Sequence, residues 1–243
     1  MSRPRWRGCA GSNSRYWHRQ QPPISVNCSE SDAMRNLLIG LALCLVGGSG
    51  ALAGAYDDIL AAAKNGDSAI VLDLLARGMD VNTADKSGTT LLMLAAHGNN
   101  LELMDSLLKN GANVNRRNQF GDSALLVASL NGHIEAIRRL LVAGAKINPE
   151  GWTPLHYAAY SGHSEIAAFL LSHGARIDAR APNGQTALML AAKNGRLELV
   201  HLLIDADADM DLPDPDGNTA RKLAAQGTHS DISDYLRSVG AVE

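Results

Sequence analysis

The 243-residue chain is 46% hydrophobic, 19% charged and 4% aromatic, a globular balance with too few large rings for an aromatic-rich β-sandwich. Residues 1–55 carry six Arg against Glu30 and Asp32, whereas residues 56–243 carry 16 basic and 23 acidic side chains, a net of −7 that argues against general affinity for phosphate backbones. All three cysteines (Cys9, Cys28, Cys44) precede Tyr56, so disulfides, thiolate metal sites and cysteine nucleophiles are excluded from residues 56–243.

In chain order, residues 1–33 are polar, Arg-rich and aperiodic, and read as a disordered extension or an artefact ahead of a true start at Met34. Residues 34–55 then reproduce a secretory signal: Met34, the positive Arg35, an apolar run Leu37–Val46, and small residues ending in Ala53-Gly54-Ala55. The uncharged stretch Leu37–Ala55 approaches membrane-spanning length at 19 residues, but only its first ten are strongly apolar, which favours cleavage after Ala55 over anchoring. Export to a bacterial periplasm or out of the cell is therefore expected.

Residues 56–243 are self-similar. Gly88-Thr-Thr, Gly121-Asp-Ser, Gly151-Trp-Thr, Gly184-Gln-Thr and Gly217-Asn-Thr recur at spacings of 33, 30, 33 and 33 residues. Each start leads to a small pair (Ala95-Ala96, Ala128-Ser129, Ala158-Ala159, Ala191-Ala192, Ala224-Ala225), and most to a later apolar pair such as Leu107-Leu108, Leu140-Leu141 or Leu170-Leu171. Units close on segments such as GANVN, GAKIN and GARID, and Ala62-Ala63, Leu74-Leu75 and Gly78-Met-Asp-Val-Asn extend the phase upstream. The division is into six units: 56–87, 88–120, 121–150, 151–183, 184–216 and 217–243.

Thr153-Pro-Leu-His-Tyr-Ala and the residues up to 183 carry a resemblance to the ankyrin repeat, which extends over about residues 56–240. The resemblance implies an all-α solenoid of stacked helix-turn-helix units with β-hairpin fingers. Local chemistry is consistent with it. Thr153 is a good helix N-cap and Pro154 suits the first helical position. Gly162 and its equivalents supply left-handed backbone between helices, with Asn99 in the second unit, and Asp207 replaces the glycine that ends the second helix in the fifth. Arg221 and Arg237 stand where the fourth unit has Leu155 and Leu171, as a solvent-facing last unit requires. Asp57 falls at the helix-start position of Thr153, two residues beyond the expected cleavage point.

Candidate chemistry reads as scaffold. His156 replaces Met93, Leu126, Met189 and Lys222 of sister units, and the resemblance implies that it bonds Thr and backbone around the turn. His133 and His163 share one repeat position, which the resemblance assigns to inter-repeat bonds, and Glu102, Glu135, Glu165 and Glu198 recur in step. The acidic run DADADMDLPDPDG resembles a calcium loop, but Leu212 and Leu223 stand where the first acid and the bidentate Glu would be needed. No HExxH, GxSxG or P-loop occurs. The expectation is a monomeric, non-catalytic scaffold without cofactor or metal that binds a partner protein. An enzyme of the cell envelope, such as a metal-dependent hydrolase, with a site spread over repeats, and a secreted effector binding host proteins, are the alternatives.

By family analogy the partner meets the finger tips and first helices. Ordinary fingers have five residues between the Asn or Asp and the next glycine (Thr83–Ser87, Ala179–Asn183), but the third-to-fourth junction has only Pro149 and Glu150. A notch is expected there. Phe120, Leu130, Trp152 and Tyr160 make its surroundings apolar, and Arg116, Arg117 and Glu150 border it; the alternative is that Trp152 only covers the shortened finger and Tyr160 packs locally.

Overall fold

The computed structural model describes residues 49–241, with side chains from Gly54. The apolar core of the expected signal and residues 1–33 lie outside that range. The helices are α1 (Ser49–Asn65), α2 (Ser68–Ala76), α3 (Leu91–His97), α4 (Leu101–Lys109), α5 (Ala124–Asn131), α6 (Ile134–Val142), α7 (Pro154–Ser161), α8 (Ser164–Ser172), α9 (Ala187–Lys193), α10 (Leu197–Asp205), α11 (Ala220–Gln226) and α12 (Ser230–Ser238). They form pairs joined by short turns, and the pairs pack on one another, first helix on first and second on second. The result is an all-α stack with one continuous apolar core. Helix α1 starts upstream of Ala55 and runs through the expected cleavage point without a break. No helix among the described residues is long and apolar enough to cross a membrane.

First and second helices bury different amounts for a sequence reason. The first helices are apolar nearly all round, as in LLMLAAH and ALMLAAK, and are enclosed on most sides: α9 buries Ala187 through Ala192 without interruption. The paired alanines are 0% exposed in α3, α7 and α9, where their small volume lets neighbouring first helices approach closely. The second helices bury a narrow stripe, Leu103-Met104-Leu107 in α4 and Ala136-Ile137-Leu140 in α6, and leave their charged side to water. Thr90, Thr153 and Thr186 cap first helices by accepting the backbone N–H three residues on.

The turn between paired helices needs left-handed backbone, and Asn99 (φ 51°), Gly132 (φ 82°), Gly162 (φ 87°) and Gly195 (φ 71°) supply it. At Gly162 and Gly195 a side chain would also be crowded by the next unit. A Cβ on Gly162 would lie 2.7 Å from Cδ of Arg196, and one on Gly195 would lie 2.5 Å from Cε1 of His229, so the next unit rests directly on the bare Cα. In the last unit this conformation falls on Thr228 (φ 68°), a β-branched residue for which it costs about 1–2 kcal/mol.

The fingers are tighter than β-hairpins. Among the described residues they contain turns and one isolated antiparallel bridge, Ala84 with Thr90, rather than paired strands. Five-residue tips leave no length for a ladder. A side chain builds the turn instead: Asp85 Oδ1 accepts from the N–H groups of Ser87 (2.8 Å) and Thr89 (2.9 Å). Asn118 does the same for Phe120 and Asp122, and Asp214 for Asp216 and Asn218.

Candidate protein-binding surface

Two ladders of side-chain bonds lock the first five units to one another. On the finger side, Asn82 Oδ1 accepts from Asn113 N–H, Asn115 Oδ1 from Lys146 N–H, Asn148 Oδ1 from Arg176 N–H and Asp178 Oδ1 from Asp209 N–H, all at 2.8–3.1 Å. The sequence separations are 31, 31, 28 and 31, so the ladder absorbs the three-residue deletion without losing a rung. On the opposite side of the first helices, the N-cap residues of four second helices reach back one unit. Asn100 Nδ2 donates to Gly66 O, His133 Nε2 meets His97 O, His163 Nε2 meets Leu130 O and Arg196 Nε donates to Tyr160 O. His133 and His163 are thus inter-unit fasteners.

His156 is 1% exposed. Its Nδ1 accepts from Thr153 N–H (3.1 Å) and lies 2.8 Å from Thr153 Oγ1, so Nε2 carries the proton and donates to Ala179 O at 2.9 Å. Burial pushes its pKa down to about 4, against the smaller upward pull of the Ala179 and Gln185 backbone bonds. Both ring nitrogens are engaged and the ring is neutral, so it has no free site for proton transfer. The next residue, Tyr157, donates its phenol to Asp122 Oδ1 at 2.6 Å. Burial and the Asp122 charge push that phenol far above its usual range, although Arg117 pulls the other way. Consecutive residues of α7 therefore tie the fourth unit forward to its own finger at Ala179 and back to Asp122 at the start of the third unit. Tyr157 and Asp122 escaped the sequence reading because they lie 35 residues apart and neither belongs to the repeat pattern.

The predicted site residues fall as follows. Phe120 is exposed at 37%, Arg116 and Glu150 are exposed, and Arg117, Leu130, Trp152 and Tyr160 are half-buried. Arg117 crosses the shortened junction to donate to Glu150 O at 2.9 Å, and Arg116 donates to Asn82 O at 3.1 Å. Trp152 packs on the edge of the core, with its ring edge-on to His156 (5.7 Å between centroids) and Tyr157 (6.1 Å). It is thus in part a packing residue. Beside the junction, Pro182 of the fourth finger leans on Gly151, where a Cβ would lie 3.7 Å from Cγ.

The acidic run of the fifth finger is occupied by its own turns. Asp214 accepts the bonds described above, Asp209 Oδ1 accepts from Asp211 N–H, and Asp178 holds Asp209 N–H. Burial pushes the Asp214 carboxyl up, but the bonds from Asn218 and Asp216 outweigh it and leave its pKa below the ordinary value. Among the described residues no group of three or more His, Cys, Asp or Glu is placed to hold a metal ion.

No curated protein matches the chain. The family model for ankyrin repeats in three copies matches residues 59–149, 92–181 and 177–242, which together span nearly all of the described stack. With its cap-and-turn chemistry, inter-unit ladders and paired-helix stack, the chain belongs to the ankyrin-repeat family.

Proposed function

We propose that this protein is an exported, non-catalytic scaffold that binds a partner protein through its fingers and first helices, centred on the shortened junction between the third and fourth units. The observation that carries this reading is Phe120, a large ring 37% exposed at the tip of the second finger, beside the junction where repeat length fails. Arg116, Arg117, Leu130, Trp152, Tyr160 and Glu150 complete the proposed surface. The mechanism is preorganisation. The ladders hold fingers and side chains in place before binding, so little ordering entropy is lost on association. The signal-like segment 34–55 supports export, to a periplasm or beyond the cell.

Phe120 and Arg116 are both exposed, so changing them tests the surface without disturbing the core. Phe120→Ser with Arg116→Ser is expected to weaken capture of the partner from envelope extract at least tenfold, with the thermal midpoint within about 2 °C of wild type, because surface changes usually cost under ~0.5 kcal/mol. Capture at the wild-type level by the folded variant would remove the surface from consideration.

A further inference from the structure

We infer that the junction between the second and fourth fingers takes an extended acidic segment of the partner protein, with an apolar side chain seated between its carboxylates. This inference rests on the protein-binding reading above and adds the chemistry of the ligand. The chain from Tyr56 onward has a net charge of −7, yet its central fingers are basic. Arg116 and Arg117 in the second, Lys146 against Glu150 in the short one, and Arg176 and Arg180 against Asp178 in the fourth leave +3 there. The fifth finger, with Asp209, Asp211, Asp214 and Asp216, is −4, so the basic region has a sharp boundary.

The arginines are arranged as well as numerous. Arg117 and Arg180 occupy one finger position, four residues before Gly121 and Gly184, in the two full-length fingers that flank the short one. The short finger lacks that position. Each guanidinium is fixed by neutral backbone carbonyls: Arg117 by Glu150 O at 2.9 Å, Arg180 by Pro213 O at 2.7 Å and Gly184 O at 3.2 Å. A guanidinium has five N–H donors in a rigid fork, so these bonds hold its orientation and leave donors for a carboxylate. Phe120, 37% exposed at the tip of the second finger, and half-buried Trp152 just after the short finger are the apolar side chains available to the acidic segment.

The spacing limits the ligand. Two helix-layer steps of about 8–10 Å separate the flanking fingers, roughly 16–20 Å in all. At about 3.3 Å per extended residue, the span is five or six positions. The recognised segment should carry two acidic residues that far apart, with an apolar residue between them.

Selection of a displayed random twelve-residue peptide library on the full-length protein at low salt tests this. Enriched peptides are expected to be net acidic, with Asp or Glu pairs five or six positions apart around an apolar residue. Their affinity should fall at least tenfold in Arg117→Gln/Arg180→Gln and weaken steeply with added salt. Neutral or basic consensus peptides, acidic peptides that bind the double variant as well as wild type, or displacement by an equimolar single-stranded oligonucleotide would each overturn the inference, as would no enrichment at all. Peptides of another charge that lose binding in Phe120→Ser would leave the binding surface standing and remove only its acidic preference. Binding that ignores both the arginine and the Phe120 changes would remove both.

Discussion

Lowering the pH from 7 to 4 is expected to cost the wild-type protein about 3 kcal/mol more stability than it costs His156→Met. The folded-state pKa of His156 is depressed to about 4 from an ordinary 6.5, so between those values the unfolded chain binds the proton and the folded one does not. The neutral ring's advantage is present in full above pH 6.5 and is lost as the pH falls towards 4, a loss of about 3 kcal/mol. Protonation would place an N–H on Nδ1, against the Thr153 N–H that it now accepts. Methionine is the appropriate replacement because Met93 and Met189 fill this position in sister units, with Sδ near the capping Thr N–H at 3.5 Å. At neutral pH the variant should lose only about 1 kcal/mol, for the bond to Ala179 O. Urea unfolding across a pH series measures the difference, and parallel profiles for the two proteins would show that His156 is not the buried base described.

Tyr157→Phe should destabilise the stack by about 2 kcal/mol at pH 7, because it leaves the Asp122 carboxylate, in a residue only 7% exposed, without the phenol it accepts. Asp122→Ala, which removes the acceptor, should cost a similar amount. The double change should cost clearly less than the sum, with a coupling above about 1 kcal/mol, because each single change removes the same bond. Chemical denaturation of the four proteins supplies the cycle. Additive losses would mean that the two side chains do not act as a pair. In wild type this phenol should also stay un-ionised until the protein unfolds in base, which tyrosinate absorbance reports.

The Tyr157–Asp122 contact marks the limit of what could be read from the sequence. The repeat phase, the Thr caps, the left-handed Gly162, Asn99 and Asp207, and the role of His133 and His163 were legible because each depends on residues within one unit or on a position that recurs. The family's hairpin fingers were only partly right: Asp85, Asn118 and Asp214 close the tips by accepting backbone N–H groups, and among the described residues no ladder follows. Tyr157 with Asp122, and Arg117 with Glu150 O, were not legible, since which side chains meet across a unit boundary depends on how the units are registered in space. Trp152 shows the same limit from the other side. Its irregular place in the repeat suited either an exposed contact or a cover for the shortened finger, and the structure packs part of it against His156 and Tyr157.

The central claim is that the partner meets the fingers at the shortened junction, and site-specific photo-crosslinking tests it most directly. A photoreactive phenylalanine analogue would be placed either at Phe120 or at Val142, which is 91% exposed at the end of the second helix α6. Irradiation in envelope extract should give a discrete protein adduct from position 120 and none from position 142. An adduct from position 142 with none from position 120 would contradict the account and move the binding surface to the outer helices.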